Sequence, residues 1–318
     1  MKVVHIGTKN ESEAMIKFDR REFLRYASAT AATAWASADP LRSVASPMGW
    51  PLGFQGYDVR FLIIKDWDNG WTTMRKMGYQ SVDMVSFKGY GYENSPLASM
   101  SAKEIADKLD SVGMQRENCQ FYYSELHNDF DAKMEFSHTL GIKYVISAPS
   151  PDHMQTIDDW KWQADQLNSL GERVKKAGFQ LGYHNHEVEF VDIGGVTPYD
   201  VLVERCVPSL VGFQIDVGNL TFGGKDAIHY LNKYPDRYFS MHAKDYRPGK
   251  TSVPVGKGIL DWPEIFTIVK EKTKMRTYYA EVAAYAIGSL HGTPATAWPG
   301  DSIDELRESA EYLKSLNV

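Results

Sequence analysis

Residues 180–190 read QLGYHNHEVEF and concentrate side chains that could bind a metal ion or transfer a proton. His184 and His186 are two positions apart, so they face the same side of the chain if it is extended. Imidazole nitrogens are common ligands of divalent transition metals, and they act as general bases near neutral pH. The segment alone leaves open whether these histidines are ligands or polar loop residues.

The other polar residues of this segment are assigned less direct roles. Glu187 and Glu189 have the opposite parity to the histidines in an extended chain. We therefore expect both to be solvated or to support the site without entering it, although Glu189 could turn inward on the loop and contact a substrate. Asn185 is predicted to be structural.

The elements that would position these residues alternate along the chain after residue 50. Capping signals support the helices, because Ser101 and Glu104 form a capping box and Pro263 suits a first helical turn. The predicted strands are residues 52–57, 81–86, 118–123, 143–148, 180–185, 211–216, 238–243 and 277–282. The clearest predicted helices are residues 101–113, 155–177, 262–273 and 302–315.

Eight βα units in about 265 residues predict one closed (β/α)8 TIM barrel over residues 51–318. An open doubly wound sheet is the alternative, but no G-x-G-x-x-G motif follows an early strand.

Metal-capable residues stand at the ends of the last four predicted strands. These are His184, Asp216 in QIDVGN, His242 in MHAKD and Glu281 in YYAEV. Because active sites of such barrels lie at the carboxyl ends of the strands, the four side chains are expected to converge. Two imidazoles and two carboxylates suit one divalent ion, such as Mn²⁺, Co²⁺, Zn²⁺ or Mg²⁺.

Several motifs resemble one family. The segments PLGFQGYDVR, LGYHNHEVEF, FQIDVGN, HAKDY, VGKGILDWPEIF and YYAEV are similar, in the same order, to the xylose isomerase-like TIM barrels, often called sugar phosphate isomerase/epimerases. The resemblance covers about residues 50–316. It implies binding of one divalent ion, with Mn²⁺ or Co²⁺ favoured, by His184, Asp216, His242 and Glu281. It also implies proton transfer by Glu281. His186 is a further candidate base.

Strand five departs from the pattern of the ketose 3-epimerases in this family. Those enzymes have a glutamate where this chain has His184. An imidazole bound to a metal is a poor base, so a proton shuttle between two carboxylates is in doubt. The YHNH form resembles the branch that includes inosose dehydratase-like proteins and lyases of 3-keto-glycosides.

Six residues are weaker candidates for substrate binding besides Glu189. Lys244 lies two positions after His242 and could instead be a surface residue paired with Asp245. The other five end or follow predicted strands or lie in the GKG loop: Asn219, Lys257, Tyr57, Tyr90 and Glu125.

The expected function is a metal-dependent isomerase or epimerase that removes the α-proton of a keto sugar through a metal-stabilised enediolate. Elimination of the aglycone from a 3-keto-glycoside, or dehydration, shares the first step and is the first alternative. An exported sugar-binding protein without activity is the second. The substrate is expected to be a neutral keto sugar or keto-glycoside, since no Arg/Lys cluster or glycine-rich phosphate loop is present.

Composition limits the partners. The formal charge of −6 argues against nucleic acid. Only two cysteines occur, Cys119 and Cys206, and both are predicted to be buried thiols. The sequence leaves open whether the protein forms a homo-oligomer.

Residues 1–38 resemble a twin-arginine export signal. Arg20 and Arg21 precede a short, weakly apolar stretch that ends in Ala36-Ser37-Ala38. The stretch is too short and polar for a permanent membrane span. We expect a periplasmic or extracellular protein that begins near Asp39, with residues 39–50 as a linker. Met15 offers an alternative start, which would make residues 1–14 an over-extended start.

Overall fold

The computed structural model describes residues 46–148, 154–248, 250–282 and 302–318 of the 318-residue chain. Eight parallel strands close into a barrel, which confirms the predicted (β/α)8 architecture. Closure joins Gly53–Gln55 (β1) to both Ser81–Val85 (β2) and Thr277–Ala280 (β10). The remaining barrel strands are Gln115–Phe121 (β3), Tyr144–Ser147 (β4), Gln180–His184 (β5), Val211–Asp216 (β6) and Tyr238–Ala243 (β7).

Helices surround the barrel, and short elements decorate its carboxyl end. The helices are Arg60–Lys65, Trp67–Met77, Ala102–Ser111, Tyr123–Asn128, Phe130–Leu140, Ile157–Lys176, Pro198–Arg205, Val217–Phe222, Ala227–Lys233, Trp262–Lys272 and Ile303–Ser315 (α1–α11). Four 3₁₀ turns lie in the described part of the chain, Gly56–Val59, Pro96–Ser99, Val188–Phe190 and Pro235–Arg237. An antiparallel hairpin, Asp245–Arg247 (β8) with Lys250–Val253 (β9), follows strand β7.

The predicted capping signals are present. Ser101 and Glu104 form the expected capping box on α3, and Pro263 lies in the first turn of α10, which Asp261 caps. Trp71 and Trp160 are fully buried on α2 and α6, so large aromatic rings belong to the hydrophobic core. Cys119 and Cys206 are buried and free, as predicted.

Strand β3 differs from its predicted bounds. It begins at Gln115 and ends at Phe121, whereas the sequence predicted 118–123. Its first residues are polar and half-buried, so they carry no apolar signal. Tyr122 instead caps α4, with the Glu125 side chain accepting a hydrogen bond from the Tyr122 backbone N–H.

The export signal assigned to residues 1–38 lies outside the described residues, as does most of the linker assigned to residues 39–50. No helix in the described part of the chain is both long and apolar enough to cross a bilayer.

Candidate metal centre

The four predicted ligands converge at the carboxyl end of the barrel. His184, Asp216, His242 and Glu281 are all buried, and one ligand atom from each lies within 4.8 Å of the others. Strand register produces this convergence, because Asp216 is paired with His242 across β6 and β7. Glu281 directly follows β10.

The donor set fits a divalent ion. Two imidazoles and two carboxylates are suitable ligands for Mn²⁺, Co²⁺ or Zn²⁺. Asp216 Oδ2 is buried and has no hydrogen-bond partner among the described residues. Since a buried carboxylate oxygen without a partner is costly, a cation bound here would satisfy it.

Asp216 also organises the neighbouring backbone. Its Oδ1 accepts a hydrogen bond of 2.8 Å from the Asn219 N–H and so caps α8. Burial raises the pKa of Asp216 to about 7, against the opposing charge of Lys244. The Asn185 side chain bonds both to the N–H and to the carbonyl of Asp216, at 3.0 and 3.1 Å, in agreement with its predicted structural role.

His242 lies between two carboxylates. Its Nε2 is 2.7 Å from Asp83 Oδ2, and its Nδ1 is 2.5 Å from Glu281 Oε2. Burial by itself lowers the pKa of His242, but the hydrogen bonds to Asp83 and Glu281 raise it to about 10. Without a metal, His242 is therefore an imidazolium, and Nδ1 is the nitrogen that faces the cluster.

Lys244 is buried and is part of the site. Its Nζ donates a 2.8 Å hydrogen bond to Glu281 Oε1. Burial favours the neutral acid, but the charge of Lys244 and the hydrogen bond from His242 hold the pKa of Glu281 well below its usual range. Glu281 is thus ionised and held on both oxygens.

The alternative pairing of Lys244 with Asp245 is wrong. The buried Asp245 carboxylate accepts instead from the N–H groups of Gly256 and Gly258 and from Trp262 Nε1. Asp245 therefore anchors the loop that carries Lys257. The Lys257 side chain is exposed, and a role in substrate binding stays a prediction.

The two histidines of strand β5 have different surroundings. His184 Nδ1 lies 3.0 Å from Gln214 Oε1, and burial together with the nearby His242 holds the pKa of His184 well below its usual range. His186 is half-buried, its ring centroid lies 5.1 Å from that of His184, and burial lowers its pKa to about 4. Among the described residues, His186 Nδ1 has no hydrogen-bond partner. Both imidazoles are neutral near pH 7.

Glu189 is enclosed and supports the site without being solvated, which is one of the two roles expected for it. It lies in the 3₁₀ turn Val188–Phe190, where strand parity no longer determines which side a residue faces. Its carboxylate accepts hydrogen bonds from the Tyr183 hydroxyl (2.5 Å) and from the His186 N–H (3.0 Å). Burial raises the pKa of Glu189 to about 7. Glu189 therefore fixes the loop that presents His186.

Three further predicted substrate contacts follow strands β1, β2 and β3. Tyr57 is buried under the Arg60 guanidinium, 4.0 Å from its ring centroid, and Tyr90 stacks on Tyr122 at 4.3 Å. Glu125 is tied to Lys133 and to Ser86 Oγ.

Asn219, already bonded to Asp216 through its N–H, also directs its side-chain amide to the Asn185 carbonyl, 3.4 Å away. Glu125 and Asn219 are thus both hydrogen-bonded to other residues of the protein, and their roles in substrate binding stay predictions.

Asp83, which bonds directly to His242, was not predicted from the sequence. Asp83 is fully buried in strand β2. Gln120 and Gln214, also buried in barrel strands, both donate to the same Asp83 oxygen. A usable signal was present, because a charged or amide side chain inside an otherwise apolar barrel strand requires a polar partner.

The chain is similar in sequence to known proteins of one family. The sequence model of the family described as xylose isomerase-like TIM barrel matches residues 72–316. An inosose dehydratase of Clostridium beijerinckii is 28% identical over 182 residues, a match that covers 47% of this chain and 60% of that protein. An inosose dehydratase of Lacticaseibacillus casei is 25% identical over 250 residues, covering 64% of this chain and 83% of that protein.

Solved structures show the same fold. A sugar phosphate isomerase/epimerase from Parabacteroides distasonis has a TM-score of 0.66 and 21% identity, covering 84% of this chain and 96% of that one. The IOLI protein, crystallised with a zinc atom, has a TM-score of 0.60 and 15% identity, covering 83% of this chain and 98% of that one.

Proposed function

Because the chain belongs to the xylose isomerase-like TIM barrel family, we propose that it is a divalent-metal-dependent carbon–oxygen lyase acting on a keto sugar. It would remove the proton next to the carbonyl and expel a substituent on the following carbon, either as water or as the aglycone of a 3-keto-glycoside. The observation that carries the proposal is the buried cluster of His184, Asp216, His242 and Glu281, with ligand atoms within 4.8 Å of one another.

These four residues would hold one ion, with Mn²⁺ or Co²⁺ favoured. When bound, such an ion polarises a carbonyl and stabilises negative charge that develops on its oxygen. Asp216 Oδ2, which has no hydrogen-bond partner in the described ranges, supports this assignment. Lys244, held 2.8 Å from Glu281, places a further positive charge beside the cluster, where it would orient a substrate oxygen.

His186 is our first choice for the base that takes the α-proton. It is neutral because burial lowers its pKa to about 4, and its Nδ1 is not hydrogen-bonded within the described part of the chain. The carboxylate of Glu281 is engaged by both Lys244 and His242, so it is the weaker candidate. Glu189 holds the His186 backbone in place.

Elimination fits this site better than epimerisation. Epimerisation by proton exchange needs a second base on the opposite face of the sugar. Strand five supplies His184 for that position, and its Nδ1 is already bonded to Gln214. The relatives named inosose dehydratase support the same reaction class.

The direct test is a reaction in deuterated buffer with Mn²⁺ or Co²⁺. Free ketoses, inososes and 3-keto-glycosides are offered, and products are followed by NMR and by aglycone release. We expect loss of water or aglycone, with deuterium exchange at the α-carbon. His186→Gln should lower kcat by about 10²–10⁴-fold while metal binding is retained.

Lys176→Gln, which removes an exposed charge at the end of helix α6, is the control for His186→Gln and should leave kcat unchanged. Rapid epimerisation of a free ketose, without elimination from any substrate offered, would overturn the lyase assignment.

A further inference from the structure

A layer of amide and carboxylate groups lies next to the two imidazoles of the metal centre. Asp83, Gln120 and Gln214 come from β2, β3 and β6, and all three are buried. We call these three residues the polar floor. They are hydrogen-bonded to each other inside the barrel, and two of them also bond to the candidate imidazole ligands.

Asp83 determines how the Gln214 amide is oriented. Asp83 Oδ2 already accepts hydrogen bonds from Gln120 Nε2 and His242 Nε2, so the Gln214 atom 2.9 Å from this oxygen has to be the donor Nε2. The reversed amide would place its oxygen against a carboxylate oxygen. The Gln214 oxygen therefore points to the other side, where it lies 3.0 Å from His184 Nδ1.

The orientation of Gln214 then determines the tautomer of His184. An amide oxygen can only accept, so His184 Nδ1 must carry the hydrogen. With the hydrogen on Nδ1, the His184 nitrogen left to bind a metal through its lone pair is Nε2. The same carboxylate acts on His242, whose Nε2 donates over 2.7 Å to Asp83 Oδ2 and whose Nδ1 faces Glu281.

We propose that the polar floor positions both imidazole ligands, so that His184 Nε2 and His242 Nδ1 are the nitrogens offered to the metal. Asp83 acts on His242 directly and on His184 through Gln214. A hydrogen bond to the outer nitrogen of a metal-bound histidine fixes its tautomer and its ring orientation. On strand β5, the polar floor thus orients His184 so that its imidazole can bind the metal. The inference rests on the proposed function, because it takes these residues to bind a metal.

Metal affinity tests the positioning role. Co²⁺ is titrated into the metal-stripped full-length protein, and its Kd is compared between wild type and Gln214→Met, which keeps the side-chain length and removes the amide. We expect Gln214→Met to weaken Co²⁺ binding by about 10–100-fold. In a His184→Ala background, the same substitution should cause little further loss, since Gln214 acts through His184.

Gln120→Met is the matched control within the floor. Gln120 donates to the same Asp83 oxygen and to Gln214, but it contacts neither imidazole. Its loss of affinity should be clearly smaller than that of Gln214→Met. Asp83→Asn keeps the shape of the side chain and provides a second variant if Gln214→Met folds poorly, and it should also weaken Co²⁺ binding.

Histidine ring NMR gives a readout that needs no metal. In ¹⁵N-labelled protein, His184, assigned with His184→Ala, should show the Nδ1–H tautomer, and Gln214→Met should remove this preference. The inference would be overturned if Gln214→Met and Asp83→Asn bound Co²⁺ with the same Kd as wild type. An Nε2–H tautomer of His184 would overturn it as well. If the wild type binds no divalent metal, the proposed function fails, whereas the tautomer still decides whether the floor orients His184.

Discussion

At the scale of single residues, charge and burial decide which groups at the barrel mouth can exchange protons. Glu281 stays ionised beside Lys244, while burial keeps His186 neutral. Glu189 differs from both, because burial raises its pKa to about 7 although it accepts hydrogen bonds from Tyr183 and from the His186 N–H.

The raised pKa of Glu189 predicts a specific pH dependence of stability. Between its unfolded pKa and about 7, the folded state binds more protons than the unfolded state. The stabilisation is therefore fully present below the unfolded pKa and is lost as the pH rises through about 7. Glu189→Gln carries no such proton, so its Tm relative to wild type should improve as the pH is raised from about 5 to about 8.

Thermal unfolding across this pH range checks the prediction. Glu187→Gln, which removes a half-buried carboxylate from the same segment, is the control. A Tm difference between Glu189→Gln and wild type that stays constant with pH would contradict it.

At the scale of elements, the sequence predicted some strands better than others. The bounds of β6 and β7 are those predicted, because both strands are apolar and end in the polar residues Asp216 and His242. The hairpin of β8 and β9 was not predicted. Alternation could not decide whether Glu189 is solvated or enclosed, because it holds only within a strand, and the chain leaves β5 at His184 and turns at Val188.

The four candidate ligands were predicted from the ends of the strands, whereas the buried residues that hydrogen-bond to them were not predicted. His184, Asp216, His242 and Glu281 follow apolar segments, so their convergence could be inferred from the barrel alone. Asp83 forms its contact with His242 across 159 residues of sequence, and no local pattern encodes such a pair.

The start of helix α8 predicts an effect of a single methyl group. A Cβ on Gly218 would lie 2.5 Å from the Lys244 carbonyl oxygen and 2.8 Å from Lys244 Cβ. Because Asp216 caps this helix, Gly218→Ala should displace Asp216 and Lys244 from each other. We expect a loss of stability of about 1–3 kcal/mol and weaker Co²⁺ binding.

Chemical denaturation and Co²⁺ titration measure both effects of Gly218→Ala. Gly212→Ala, at the opposite end of strand β6 from Asp216, is the control, since a Cβ there would meet a side-chain atom of the half-buried Phe239 at 3.0 Å and no backbone atom closer than 3.9 Å. Equal effects of the two substitutions would show that the close approach of α8 to Lys244 does not matter.

At the scale of the whole molecule, the barrel accounts for residues 46–318 as far as they are described, and the N-terminal segment raises a separate question. We propose that residues 1–38 direct export through a twin-arginine route, on the evidence of Arg20-Arg21 followed by Ala36-Ser37-Ala38. An exported location would suit a neutral keto-glycoside better than a phosphorylated sugar.

Expression of the full chain in a bacterium with a twin-arginine pathway tests the export proposal. The periplasmic product should begin near Asp39 by N-terminal sequencing. Replacing Arg20 and Arg21 together by lysine keeps the charge and should block export. An uncleaved cytoplasmic product of the unaltered chain would contradict the proposal.

The most direct test of the central claim is the amount of divalent metal that the barrel binds. Metal-stripped protein is titrated with Co²⁺ by calorimetry, together with Asp216→Asn, which keeps the shape of the buried carboxylate, and Asp192→Asn, which alters an exposed one. We predict one Co²⁺ per chain for wild type and Asp192→Asn, and strongly weakened binding for Asp216→Asn. No saturable binding by the wild type, or equal binding by Asp216→Asn, would contradict the assignment of the metal centre.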